Sequence, residues 1–371
     1  MIQGLNLLGG ADHTLWGGGI VRSAHYGCGM SRGGRRGLVG AELDESEALV
    51  GNTPLVPLRR LQPRSDLSVW AKLESFNPGG SAKDRTALAM LRRGWADGSI
   101  GPDSTIVESS SGNLGVALAR WCSRLRLPFH CVVDSKVNVP TVGLIRALGG
   151  VIHRVDRPDP ATGDFLTARL ARVRELLTTI DRAVWLNQYA NPAALDAHCG
   201  TMREIAEALD DRVDVLFVAV STTGTLGGCR RYVQMHGLAT RLVAVDAHGS
   251  VLFGGSRADR HLSGFGAGTV PELAERLTPD EVVRISEVDT VVGCRLLAQR
   301  EAIVAGASSG AVVQAFLRAA PGLPAGARAV LLLHDGGAPY LNTVYDDDWV
   351  TSRLGVGADE LRERLAPEWP R

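Results

Sequence analysis

Of the forty basic residues in this chain only three are lysines, Lys72, Lys83 and Lys136. Arginine stays protonated in a protein and cannot serve as a nucleophilic amine. Lysine can, once burial or nearby charge lowers its pKa, and it then condenses with a carbonyl as a Schiff base. Lys83 lies in Glu74-Ser75-Phe76-Asn77-Pro78-Gly79-Gly80-Ser81-Ala82-Lys83-Asp84-Arg85. The Pro and Gly residues mark a turn, and the residues after them open a helix. The plain alternative is a solvated lysine at a helix start.

Three further loops suit anions. Glu108-Ser109-Ser110-Ser111-Gly112-Asn113 stands between a β-branched run and a helical pattern. Small hydroxyl residues and glycine there expose backbone N–H groups at a helix N-terminus, which attracts negative charge. Ser221-Thr222-Thr223-Gly224-Thr225 follows the apolar run Val213–Val220 and contains no cation. Helix-end dipoles and neutral donors would have to hold a phosphate at this loop. Gly306-Ala307-Ser308-Ser309-Gly310 is the third. Each loop, taken alone, is equally well a turn or a capped helix.

Together these segments resemble the cysteine synthase/cystathionine β-synthase family of pyridoxal-phosphate (PLP) enzymes. The resemblance begins at Gly51-Asn52-Thr53-Pro54-Leu55-Val56 and runs through Asn-Pro-Gly-Gly-Ser-x-Lys-Asp-Arg to Tyr345-Asp346-Asp347-Asp348-Trp349, covering roughly residues 46–350. It implies that Lys83 holds PLP and that Asn113 hydrogen-bonds the cofactor's phenolic oxygen. It implies that Ser109, Ser110, Ser111 and Gly112 grip a substrate carboxylate. Ser221, Thr222, Thr223, Gly224 and Thr225 would cup the cofactor phosphate, with Ser221 and Thr223 standing where the family's Gly-Thr-Gly-Gly-Thr cup has glycine. Ser308 would face the pyridine nitrogen, and a neutral hydroxyl there favours β-elimination chemistry over transamination. Gln188 and Tyr189, in Asn187-Gln188-Tyr189-Ala190-Asn191-Pro192, would line the substrate side; Tyr189 could equally be a core residue. Leu114 stands where many cysteine synthases have threonine.

Among family branches, Glu108–Gly115, Asn187–Asn191, Val220–Thr225 and Val243–Val251 resemble the 2,3-diaminopropionate branch. Its enzymes join O-phospho-L-serine to L-glutamate by β-replacement through an aminoacrylate, giving N-(2-amino-2-carboxyethyl)-L-glutamate for siderophores or peptide antibiotics. A cysteine synthase using O-acetyl- or O-phospho-L-serine and sulfide is the alternative within the family. A catalytically silent PLP-fold binding or regulatory subunit is the alternative outside enzymology, and the intact Lys83 speaks against it. Two anionic substrates require extra cations or donors. Arg169 is the candidate, with Arg172 one turn later as the alternative, and either could be a solvated face charge.

These loops need strands and helices to hold them. β-branched runs at Ser104–Val107, Pro128–Val133, Val151–Val155, Val213–Val220, Leu242–Val245 and Ala329–Leu333 alternate with helical patterns. The helical patterns are Thr86–Trp95, Leu114–Leu125, Thr141–Leu148, Thr167–Leu177, Ala193–Leu209, Gly227–His236 and Ala311–Ala319. Such alternation predicts an α/β fold of mainly parallel sheets flanked by helices, with ligands at the carboxyl ends of the strands. The resemblance implies fold-type II, tryptophan synthase β-like, in two domains. Residues 46–84 and 191–350 would form a large cofactor domain, 85–190 a small mobile substrate domain, and 351–371 a tail. No Gly-x-Gly-x-x-Gly follows any of these strands, which argues against a dinucleotide oxidoreductase.

With 45% hydrophobic and 22% charged residues and zero formal net charge, the composition is that of a globular enzyme. No basic stripe suggests nucleic acid and no apolar run approaches a membrane span. The six cysteines form no Cys-x-x-Cys pair and no zinc spacing, so no metal is expected and reduced cytoplasmic thiols are. Residues 1–45 are glycine-rich and lack sustained periodicity, and read as a flexible arm, with Met30 an alternative start. His25 and Cys28 are too weak a pair for a metal or haem site. Small-molecule amino acids are the expected partners, and a homodimer is implied by the resemblance alone.

Overall fold

The computed structural model describes residues 38–366, except 136 and 276. Ten strands occur among them: β1 (Leu55–Pro57), β2 (Ser68–Leu73), β3 (Thr105–Ser109), β4 (Phe129–Asp134), β5 (Val151–Val155), β6 (Ala183–Trp185), β7 (Val215–Ala219), β8 (Arg241–Ala247), β9 (Glu281–Ile285) and β10 (Arg328–Leu333). They form a six-stranded sheet in the order β1-β2-β10-β7-β8-β9 and a four-stranded sheet in the order β5-β4-β3-β6. All pairings are parallel except β1 with β2. Parallel strands need helical crossovers that cover both sheet faces, so the central strands are buried on both sides. This explains the near-continuous apolar runs of β7 (Val-Leu-Phe-Val-Ala) and β10, whose last five residues are buried. The fold is α/β, with mainly parallel sheets flanked by helices.

Every helical pattern read from the sequence falls on a helix, the end residues of some lying just beyond it. Those that bear on the site are Lys83–Asp97, Asn113–Arg124, Phe165–Thr179, Ala193–Ala208, Gly224–Met235 and Ala307–Ala319. Strands β1, β2, β6 and β9 escaped the sequence reading. In β2 the reason is Lys72, a charge in the middle of a strand that is nevertheless 1% exposed. Its Nζ donates to Glu204 Oε2 at 2.6 Å and to the Thr53 carbonyl at 2.7 Å, so pairing across the fold replaces apolarity.

Part of the expected arm is ordered. Leu38–Glu47 is a helix whose Leu43 is buried against the core around Leu88 and Leu91. The assignment of residues 38–45 to a flexible arm is corrected accordingly; the apolar contact was invisible in a stretch too short for periodicity. Met30 and the His25–Cys28 pair lie outside the described residues, as does the end of the expected tail, whose Ala358–Leu365 is helical.

Candidate active site

The turn before Lys83 is fixed by its own side chains. Asp84 Oδ2 accepts the Gly79 N–H at 2.9 Å, Ser81 Oγ accepts the Lys83 N–H at 3.2 Å, and the Ala82 N–H donates to the His334 carbonyl at 2.8 Å. Lys83 therefore begins its helix against the end of β10. Burial pushes its ammonium pKa down to about 8, with the charge of Asp335 working in the opposite direction. An amine so placed is available as nucleophile or base near neutral pH.

Asp335, two residues beyond β10, was missed by sequence reasoning, and it brings three predicted segments together. Its backbone bridges to Ser81, its carbonyl accepts the Gly306 N–H at 3.1 Å, and its Oδ2 accepts Asn113 Nδ2 at 2.7 Å. The turn leading to Lys83, Asn113 and the Gly306–Gly310 loop thus meet at one carboxyl. The available signal was a carboxylate followed by two glycines at a strand's carboxyl end.

The Ser109–Gly112 loop divides its work. Ser110 Oγ accepts the Gly115 N–H at 3.0 Å, the helix-capping role that its residue type also suggested. Ser111 Oγ accepts Arg169 Nη1 at 3.3 Å and the Asp134 N–H at 3.1 Å. Ser109 is fully buried, and its hydroxyl has no hydrogen-bond partner among the described residues. Gly112 caps the helix that begins at Asn113, and Gln188 Nε2 donates to the Ser109 carbonyl at 3.1 Å. Behind the loop, burial lifts Glu108 to about 7; its Oε1 accepts from Ser109 N–H and Trp185 Nε1.

Arg169 comes to this loop because Asp164 caps its helix, accepting the Thr167 N–H at 3.0 Å. Its guanidinium is 12% exposed and 3.2 Å from Asp134 Oδ2. Burial pushes Tyr189 up to about 12. Arg172 instead pairs with Glu175 on the same helix. Of the two candidate arginines, only Arg169 reaches a predicted site residue.

The Ser221–Thr225 loop opens the helix Gly224–Met235. Ser221 Oγ donates to the Gly266 carbonyl at 3.1 Å. Thr222 is buried. Thr223 adopts φ +65°, the left-handed region that disfavours a β-branched residue, yet its buried Oγ1 has no partner among the described residues. Thr225 Oγ1 lies 3.3 Å from His198 Nε2, which is also 3.1 Å from Thr86 Oγ1 one turn beyond Lys83. Burial holds His198 neutral. A lone histidine in an amphipathic helix gave no sign that it would tie this cup to the Lys83 helix. Ser308 is 2% exposed on the first turn of its helix, and the neighbouring Ser309 Oγ is buried without a partner among the described residues.

Buried hydroxyls at Ser109, Thr223 and Ser309, one in each anion-suited loop, have no partner among the described residues, and buried polar groups otherwise find partners, so these loops fit a phosphorylated cofactor. A pyridoxal-phosphate dependent enzyme family model matches residues 47–335. The chain belongs to the pyridoxal-phosphate dependent enzyme family. It is 46% identical over 302 residues to an N-(2-amino-2-carboxyethyl)-L-glutamate synthase of Ralstonia nicotianae, covering 81% of this chain and 89% of that one. A synthase of the same name from Cupriavidus metallidurans is 45% identical over 305 residues, with the same coverage. The crystal structure of a cysteine synthase from Entamoeba histolytica superposes with a TM-score of 0.76 at 26% identity, covering 92% of this chain and 99% of that one. The cofactor of this family member is PLP, and it is a transferase of the β-replacement type.

Proposed function

We propose that this PLP enzyme carries out β-replacement on O-phospho-L-serine with the amine of L-glutamate, releasing phosphate and N-(2-amino-2-carboxyethyl)-L-glutamate for 2,3-diaminopropionate formation. The observation that carries the reading is Arg169, a shielded cation delivered to the Ser109–Gly112 loop, in a chain 46% identical to a synthase of that name. Substrates with additional carboxylate or phosphate groups need such a cation, whereas sulfide does not.

Bound at Lys83, PLP supplies an electron-withdrawing ring that stabilises the negative charge left when the α-proton is removed. The chain's residues do the rest. The Ser109–Gly112 loop, at a helix N-terminus, would hold the substrate α-carboxylate, with Gln188 bracing the loop. Asn113 would hold the cofactor's phenolic oxygen, Ser308 its ring nitrogen, and Ser221–Thr225 its phosphate. Lys83 Nζ takes the α-proton and returns it after the new C–N bond forms; an amine poised near 8 exchanges protons readily at neutral pH. Arg169, steadied by Asp134 and Ser111, would orient the additional anionic group. The proton lost by the glutamate nitrogen balances the one taken up by the departing phosphate.

A cytoplasmic homodimer belongs to the same proposal. Phe76, Val304 and Leu341 are exposed apolar side chains that a second copy would cover. No helix among the described residues is long and apolar enough to cross a membrane. The test is phosphate release from O-phospho-L-serine with glutamate or sulfide as second substrate, with product mass read in parallel. Glutamate-dependent release with the condensed amino acid as product supports the reading. Release that responds only to sulfide and yields cysteine overturns it.

A further inference from the structure

We propose that Asp335 is a positioning residue of this site, a buried carboxyl that orients the Asn113 amide and sets the proton affinity of the Lys83 nitrogen. It is 3% exposed, and its Oδ2 accepts two bonds, from Asn113 Nδ2 at 2.7 Å and from Tyr340 OH at 2.8 Å. Because a carboxylate only accepts, the bond to Oδ2 fixes which end of the Asn113 amide is nitrogen. The second amide hydrogen is left for the cofactor's phenolic oxygen. The other oxygen, Oδ1, is buried with no partner among the described residues. It lies over the Gly306 loop so closely that a Cβ at Gly306 would stand 2.0 Å from it. One oxygen is thus engaged in orienting a cofactor ligand, and the other is kept free beside the loop that carries Ser308.

A merely structural residue at this position would not need a charge. Burial raises the Asp335 pKa above the ordinary carboxylate value, and the bonds from Asn113 and Tyr340 and the charge of Lys83 work in the opposite direction. Of the other titratable groups around the pair, Arg85 is paired with Glu74 and Glu204, and Asp84, which burial raises to about 6, accepts the Gly79 N–H. Burial keeps His198 neutral and pushes His334 down to about 3, and it pushes Cys294 up to about 12 and raises Tyr340 and Tyr345. Asp335 is the group whose negative charge opposes the burial of Lys83.

The inference rests on Lys83 being the reactive amine, but not on which substrates are joined. Its test therefore reads the amine and not turnover. Asp335→Asn keeps one acceptor oxygen for Asn113 and Tyr340 and removes the charge, with an NH2 in place of the unpartnered Oδ1. Tyr340→Phe keeps the carboxyl and removes one of its two donors, so it serves if the first variant does not fold. The first readout is the pH midpoint of the visible absorbance of the cofactor-loaded enzyme. The second is the pH midpoint of Lys83 acetylation in cofactor-stripped protein; with three lysines in the chain, peptide masses separate them cleanly. Asp335→Asn should lower both midpoints by about one pH unit, roughly a tenfold loss of proton affinity. Tyr340→Phe should shift them the same way by less. If the variant that folds leaves both midpoints within about 0.2 of the native values, well under a twofold change in affinity, Asp335 is structural only and the proposal fails. A failed glutamate assay with shifted midpoints would overturn the substrate assignment and leave Asp335 in place.

Discussion

Replacing Glu204 by Gln should unravel the ion cluster beneath the Lys83 helix. Glu204 Oε2 accepts Lys72 Nζ at 2.6 Å and Arg85 Nη2 at 2.8 Å, while Oε1 accepts Arg85 Nη1 at 2.7 Å. Arg85, two residues past Lys83, also donates from Nε to Glu74 Oε2 at 2.7 Å. All four side chains are at most 9% exposed, so solvent screens them little. Burial alone would raise the Glu204 pKa, but the Arg85 hydrogen bonds and charge, followed by those of Lys72, outweigh it and hold the carboxyl down to about 2, against an ordinary 4.5. At ~1.4 kcal/mol per pKa unit, that preference corresponds to roughly 3 kcal/mol of folding stability. Breaking a buried pair from one side typically costs about 3–5 kcal/mol, which agrees. Because the folded pKa is depressed, the contribution is fully present above pH 4.5 and is lost as pH falls through about 2. Urea unfolding of native and Glu204→Gln protein at pH 7 should therefore differ by about 3 kcal/mol, and by under half of that at pH 3. A gap below about 0.5 kcal/mol at pH 7, or one that stays constant down to pH 3, would show that the cluster does not stabilise through Glu204 ionisation.

Four further outcomes are expected. Lys83→Ala should retain native circular dichroism but lose the visible absorbance of bound cofactor and all turnover; retained absorbance would remove Lys83 from its role. Thr223→Gly should relieve about 1 kcal/mol of left-handed backbone strain and yet weaken PLP binding, measured by equilibrium titration, because the unpartnered hydroxyl is lost. Gly306→Ala should cut PLP affinity at least tenfold, about 1.4 kcal/mol, since its methyl would meet Asp335 Oδ1 at 2.0 Å; native affinity would mean the carboxyl is free to move. Arg169→Gln should lower kcat/KM for the anionic substrate pair by about 10- to 100-fold, the loss of one charge-assisted contact, while Arg172→Gln stays near native.

Much of the site was legible because its parts are local. A phosphate cup at a helix N-terminus or a lysine after an Asn-Pro-Gly-Gly turn is written in consecutive residues, and the alternating strand and helix patterns place these loops at strand ends. Strand β2 was not legible, because burying Lys72 depends on Glu204, 132 positions away. The short helix Leu38–Glu47 escaped for a related reason: its contacts, Leu43 in the core and ion pairs of Asp44, Glu45 and Glu47 with Arg92 and Arg124, are with other helices.

The sequence by itself singled out Lys83, the loops suited to anions and the α/β alternation, since turn chemistry, capping and periodicity act over a few residues. Only the tertiary structure showed which of the two arginines reaches the Ser109–Gly112 loop, that Thr223 keeps a strained backbone with a hydroxyl unpartnered among the described residues, and that Asp335 joins Ser81, Asn113 and Gly306. Those facts depend on which groups burial brings within hydrogen-bonding distance, and a carboxylate's choice between solvent and partner is made only when the chain has closed around it.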